Sequence, residues 1–181
     1  MKGIIFILME QFVAGKIGEE KYDELLRGCR LKTAEPFVGP GTYPDEDFMA
    51  IFGRAVEALG ASPEEVLRGF GRFSFPKLAE RFPGFVTPHR HPKDFLKTID
   101  SVVHTEVRKL YEDARLPRFS YQDPGPNRLV MKYQSDRKLC HFMEGLIEGV
   151  AEHFKEPIRY EQTRCKLRGD EACEFDLRFE G

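Results

Sequence analysis

Between two long segments whose apolar residues recur every three or four positions lies a short one whose apolar residues alternate. This change of hydrophobic period, from helical to extended and back, restricts the fold more than any other feature of the chain. Phe95, Leu96, Ile99, Val103, Val107 and Leu110 share one face of a helix expected over Lys93–Tyr111. Leu139, Phe142, Met143, Leu146, Ile147, Val150 and Phe154 do the same in a helix that starts at Lys138. Between them Leu129, Met131 and Tyr133 point to one side of a strand, and Arg128, Val130, Lys132 and Gln134 to the other. A lone strand cannot satisfy its backbone. Partners come from two closing strands, Ile158–Leu167 and Ala172–Phe179, joined at Arg168-Gly169-Asp170-Glu171 as a hairpin.

Upstream the pattern is helical, over Ile4–Gly15 and then Gly18–Cys29, where Glu19 and Glu20 suit the positive end of the helix dipole. Pro36, Gly39, Pro40, Gly41 and Pro44 mark a loop, after which Asp45 is the expected cap of a helix through Leu59. Ser62-Pro63-Glu64-Glu65 is a helix start with Ser62 as cap, Pro63 in the first position and Glu65 completing a capping box. Phe73, Phe75, Phe82 and Phe85, interrupted by Pro76 and Pro83, read as a broken apolar wall, and Thr87–Pro92 as a solvated connector. Asp123–Asn127 is a turn before the alternating strand. Helices first, then strand, helix and hairpin, predict an α+β fold: an N-terminal helical part packed on a C-terminal antiparallel sheet with helices. At 181 residues the chain is expected to form one domain, with residues 1–60 as its helical part and 61–181 as the helix and sheet part.

Charge excludes one large class of function. Lys and Arg total 28 against 30 Asp and Glu, without long runs of either sign, so no basic face for nucleic acid is expected. No apolar run approaches the ~20 residues that span a bilayer, and a cytoplasmic protein is expected. The opening Met1–Met9 is interrupted by Glu10 and reads as the end of a buried helix. Sixteen Phe and no Trp point to an aromatic interior, or to a flat hydrophobic ligand. Paired carboxylates, a nucleophile with its base and a phosphate-cradling glycine loop are all missing, so an enzyme is not expected.

Along the strand the face of Leu129, Met131 and Tyr133 continues to Ser135 and Arg137, turning from apolar to two hydroxyls and a guanidinium. Such donors suit a carboxylate-bearing ligand, since an arginine fork takes carboxylate oxygens two at a time. The plainer alternative is that Arg137 pairs with a neighbouring acid. One helix upstream, His104 sits on the flank of an apolar face beside Asp100 and Tyr111.

Taken together, Met1–Phe6, the segment Val103-His104-Thr105-Glu106-Val107-Arg108-Lys109-Leu110-Tyr111, Leu116-Pro117, Tyr133-x-Ser135-x-Arg137 and Glu144-Gly145-Leu146-Ile147 resemble the H-NOX (haem nitric oxide/oxygen-binding) family along essentially the whole chain. The resemblance implies a b-type haem buried between the two parts, with His104 as its protein ligand and Tyr133, Ser135 and Arg137 at its propionates. It places Ile5, Met9, Ser74, Leu78, Phe142 and Leu146 in the distal pocket. Ile5, Leu146 and Pro117 are then the residues that bend the macrocycle. Family members that bind oxygen carry a distal tyrosine where this chain has Phe142, so NO and CO are the expected ligands and O2 is not, unless the Ser74 hydroxyl reaches the ligand. With no catalytic segment following, the signal is expected to pass to a separate histidine kinase or cyclic-di-nucleotide signalling enzyme. Some relatives also hold zinc with three cysteines and a histidine. Here Cys140, Cys165 and Cys173 match, but the histidine position is Gln162, with His141 and His153 as other candidates for the fourth ligand. A thiol or zinc redox switch built on these cysteines is the competing reading.

Overall fold

The structure is a computed structural model that describes residues 1–34 and 36–180. Seven α-helices and four strands follow in the order α1 Gly3–Ile17, α2 Glu19–Arg27, α3 Asp45–Leu59, α4 Pro63–Arg81, α5 Pro92–Thr98, α6 His104–Leu110, β1 Arg118–Gly125, β2 Arg128–Gln134, α7 Cys140–Phe154, β3 Ile158–Arg164 and β4 Cys173–Phe179. The strands form one antiparallel sheet in the order β1-β2-β4-β3, so the fold is α+β as its periodicities require. In β2, Leu129, Met131 and Tyr133 face Leu177, Phe175 and Cys173 of β4, and all six are buried. α7 covers that face.

Local chemistry explains most boundaries. Ser62 Oγ accepts from the Glu65 amide at 3.2 Å while Glu65 returns to the Ser62 amide at 2.9 Å, the reciprocal cap read from the sequence. α3 differs: its cap is Pro44, and Asp45 is the first helical residue, with its carboxylate turned away to other partners. Pro76 does not break α4. It removes one amide, leaving the Arg72 carbonyl without its ordinary helical donor, and the neighbouring Gly149 leaves room for that carbonyl: a Cβ there would come within 3.2 Å of it. β1 had no counterpart in the periodicity, because its burial does not alternate cleanly and it contains Pro124. Both features are tolerable at a sheet edge, where one side of the ladder needs no donor. His91, expected in a solvated connector, instead caps α5, its Nδ1 accepting from the Lys93 amide at 3.2 Å.

The helix expected over Lys93–Tyr111 is continuous but not uniformly α. Ile99–Val103 form a π-helical turn between α5 and α6. The extra residue in a π turn rotates everything after it about the axis. Leu110, which a uniform 100° wheel buries, is consequently 70% exposed.

Buried apolar side chains form two clusters. One gathers the sheet, α5 and the inner face of α7; the other gathers α1, α2, α3 and the first half of α4. α4 and α7 join them, crossing where glycines meet: a Cβ on Gly71 would lie 2.2 Å from the Phe142 oxygen, and one on Gly145 would lie 1.9 Å from the Arg68 oxygen. Beside this crossing Glu144, buried, accepts from Arg68 Nη2 at 2.7 Å and lies 3.1 Å from His141 Nδ1.

Candidate functional site

A seam separates the two clusters. Ile5, Leu78 and Phe142 are partly buried against the helical cluster, and Ile99, Phe119 and Leu146 against the sheet cluster. Met9 and Ser74 are fully buried on the helical wall. Ser74 Oγ donates to the Phe70 carbonyl at 2.7 Å, which commits its only proton to its own helix. Phe142 stacks on Phe70 with ring centres 4.9 Å apart.

His104 opens α6 directly after the π turn, and its amide donates to the Ile99 carbonyl five residues back. Its side chain is 13% exposed. The ring lies 5.6 Å from that of Phe119, and Phe119 in turn lies 5.4 Å from Tyr133, so the edge of the sheet connects the imidazole with the tyrosine. Nδ1 is buried and has no hydrogen-bond partner among the described residues. Asp100 Oδ1 is the facing carboxylate oxygen, at 3.8 Å. Burial holds the imidazole below the usual histidine range; Arg108 adds to this, while Asp100 and the Pro117 carbonyl pull the other way. The ring is therefore neutral near pH 7, the form that ligates metals.

Tyr133, Ser135 and Arg137 converge, though not by continuing one strand. β2 ends at Gln134, and the backbone turns so that the Arg137 amide donates to Ser135 Oγ at 3.3 Å. The Tyr133 hydroxyl is bonded to Ser135, and burial pushes the phenol up to about 12. Arg137 does pair with an acid: Nε donates to Asp45 Oδ2 at 2.8 Å and Nη1 to the Arg115 carbonyl at 2.6 Å. A guanidinium has five N–H donors, so these two bonds leave the rest of the fork for a carboxylate ligand. Asp45, on the helical part, also accepts from the Met1 nitrogen at 2.8 Å, which ties three separate stretches of chain to the donor cluster. Sequence reasoning took Asp45 for a cap, and nothing in its local pattern pointed to Arg137.

The buried Cys140, Cys165 and Cys173 place their sulfurs within 4.8 Å of one another, and Cys140 and Cys165 are 3.7 Å apart. The Lys166 amide donates to Cys173 Sγ at 3.4 Å. Among the described residues no histidine or carboxylate joins the group. His141 turns to Glu144, and His153 packs against Phe75 and Phe154. Burial pushes the Cys140 thiol up to about 12 and also raises Cys173, so these two are protonated unless a cation displaces the protons.

Known proteins share this fold. The family model described as haem-NO-binding matches residues 2–162. The crystal structure of an H-NOX protein from S. oneidensis in the Fe(II)NO ligation state is 30% identical, covers all of both chains and superposes with a TM-score of 0.93. The Fe(II) unliganded H-NOX protein from K. algicida is 27% identical over the whole of this chain and 97% of that one, with a TM-score of 0.88. Among curated sequences, the soluble guanylate cyclase subunit beta-2 of Rattus norvegicus is 29% identical over half of this chain. An uncharacterized protein of Methanocaldococcus jannaschii is 26% identical over 46% of it. The matched stretches span 14% and 51% of those two relatives. No helix among the described residues is long and apolar enough to cross a membrane. Family model and fold agree: the chain belongs to the haem-NO-binding, or H-NOX, family.

Proposed function

We propose that this chain holds a b-type haem in the seam, with His104 on the iron and Tyr133, Ser135 and Arg137 at the propionates, and that it senses NO in the cytoplasm for a separate signalling protein. The observation that carries the reading is the buried, neutral imidazole of His104 with an unpartnered nitrogen, standing across Phe119 from a donor cluster with spare capacity. A ring that ligates a metal through one nitrogen carries its proton on the other, so a buried Nδ1 facing the Asp100 carboxylate at 3.8 Å suits ligation through Nε2. The lining of the seam fits a flat apolar group, and the guanidinium fits its acid tails.

Ferrous haem, when bound, would supply the gas-binding site. His104 would hold it from the protein side and be the group whose hold NO binding loosens. Its release frees α6 from the seam, and the motion reaches the N-terminal part through Tyr111, whose ring lies 4.0 Å beneath Lys2 Nζ. A ligand that favours one of two positions of such an element is what a sensor requires. Phe142 brings no hydroxyl to the distal side, and the Ser74 proton is committed, so O2 lacks the donor it depends on while NO and CO need none. The signal is then read by a partner such as a histidine kinase or a cyclic-di-nucleotide enzyme, the chain itself acting as sensor rather than enzyme.

The absorption spectrum of protein supplied with hemin, reduced and then exposed to NO and to air, tests this. A haem spectrum that shifts with NO and with CO, and is lost or made imidazole-dependent by His104→Ala, is expected. Protein that stays colourless, or a spectrum indifferent to His104→Ala, refutes it. A second reading, favoured by the cysteine cluster, is that Zn2+ sits on Cys140, Cys165 and Cys173, with the fourth position left to a non-protein ligand because Gln162 replaces histidine. Were the thiols themselves the sensor, signalling would survive His104→Ala and fail when the cysteines are replaced.

A further inference from the structure

The π turn before His104 brings a second side chain to the imidazole. Asp100 lies four residues back, inside the turn, and its backbone carbonyl is held from the helix side by Thr105 Oγ1 at 3.3 Å and Arg108 Nη2 at 3.5 Å. Its carboxylate is held from the sheet side: Oδ1 accepts the Phe119 amide at 3.1 Å, at the start of β1 and two residues after Pro117. The same oxygen faces His104 Nδ1 at 3.8 Å. Clamped at both ends, this carboxylate is less than about 1 Å beyond hydrogen-bond reach of the ring's buried Nδ1, which has no partner among the described residues. A π turn that reorients two side chains toward one site is a recurrent functional device.

We propose that Asp100 is the positioning residue that sets how firmly His104 holds iron, an inference that rests on the haem reading above. A histidine that ligates through one ring nitrogen carries its proton on the other, and a carboxylate facing that proton fixes the tautomer and makes the imidazole a stronger donor. Asp100 thus opposes the release that NO provokes and decides how much of it occurs. The Pro117 carbonyl is the rival acceptor near the ring, and Arg108 the nearby opposing charge.

Asp100→Asn separates these, because the amide oxygen still accepts from the Phe119 amide while the charge is lost. In a His104→Gly background, where free imidazole replaces the side chain, Asp100→Asn is expected to weaken imidazole binding to the reduced haem by about 10- to 100-fold. With His104 present it is expected to lower the iron–imidazole stretching frequency in resonance Raman spectra and to raise the share of the NO complex that has lost its histidine. Asp100→Glu, which keeps the charge, is expected to retain more of the affinity than Asp100→Asn. An affinity and frequency unchanged by Asp100→Asn would give the role to the Pro117 carbonyl and overturn the proposal. Equal losses in the Asn and Glu variants would overturn it too, by assigning Asp100 a merely structural part. Parent protein that takes up no haem is a separate result that removes the reading beneath it.

Discussion

Gly145 and Gly53 are both helical glycines, yet replacing each with alanine should move stability in opposite directions. At Gly145 the new Cβ would lie 1.9 Å from the Arg68 oxygen, 2.8 Å from its carbonyl carbon and 2.9 Å from the Arg72 amide nitrogen. Ordinary contact begins near 3.4 Å, so 3.4 − 1.9 = 1.5 Å of separation must be found. The obstacle is backbone in the middle of α4, which cannot swing aside as a side chain can. Overpacking of this kind costs about 1–3 kcal/mol, and the upper end applies because separating the helices also stretches the Arg68–Glu144 bond. Some 2–4 °C of Tm per kcal/mol in a chain of this size gives a loss of roughly 6–12 °C for Gly145→Ala. At Gly53, on the exposed side of α3, a Cβ would meet nothing within 4 Å. There alanine's helix propensity should contribute up to ~1 kcal/mol and raise Tm by a few degrees. Thermal unfolding of both variants beside the parent, followed by far-UV circular dichroism, measures the pair. A Gly145→Ala protein that melts with the parent, or two variants that shift the same way, would refute the reasoning that close backbone approach fixes this crossing.

Other expectations follow from single groups. Burial raises the Asp45 carboxyl, but bonds from the Met1 nitrogen and Arg137 outweigh it and hold the group below its ordinary value. A depressed carboxyl stabilises the fold above its unfolded pKa, so the stability gap between parent and Asp45→Asn should be full near neutrality and close as pH falls below about 4; a gap that widens in acid contradicts the pairing. Phe142→Tyr should let the reduced protein retain O2 in air for longer than the parent, and equal lifetimes would mean that position 142 does not face the bound gas. Metal analysis should find about one zinc per chain, lost in Cys165→Ser, with zinc uptake by the metal-free protein releasing protons as the thiols ionise; zinc retained by the variant would place it elsewhere.

Where local chemistry alone decides, the sequence is readable. The Ser62–Glu65 box, the α7 face from Met143 to Val150 and the Leu129-Met131-Tyr133 side of β2 each depend on residues within a few positions of one another, and each stands where periodicity puts it. Gly145 and Gly149 leave room for a close approach by another element. Its identity, α4 through Gly71 and Phe75, depends on a residue more than seventy positions away and has no local signature. β1 stayed hidden for a related reason: an edge strand with a bulge and a proline is specified by its neighbour β2 rather than by its own alternation.

The site divides in the same way. The family resemblance marked out His104, and residue types the Tyr133, Ser135 and Arg137 triplet, but the contacts that give them character come from outside their motifs. A straight wheel puts His104 on the flank of its helix and buries Leu110; five residues of π geometry reverse both, leaving the histidine turned in and the leucine turned out. No propensity scale marks such a turn: beside the local bond of the Thr105 hydroxyl to the Asp100 carbonyl, it is held by the Phe119 amide of the sheet edge on the Asp100 carboxylate. Of the two partners weighed for Arg137, a ligand carboxylate and a neighbouring acid, the acid is present as Asp45. Its bond to Asp45 fastens the helical part to the donor cluster, while its remaining N–H groups stay available to a ligand. Through that bond, a change in how the guanidinium is held is felt directly at the first turn of α3. That physical link between the two halves of the chain is one that neither half could disclose alone.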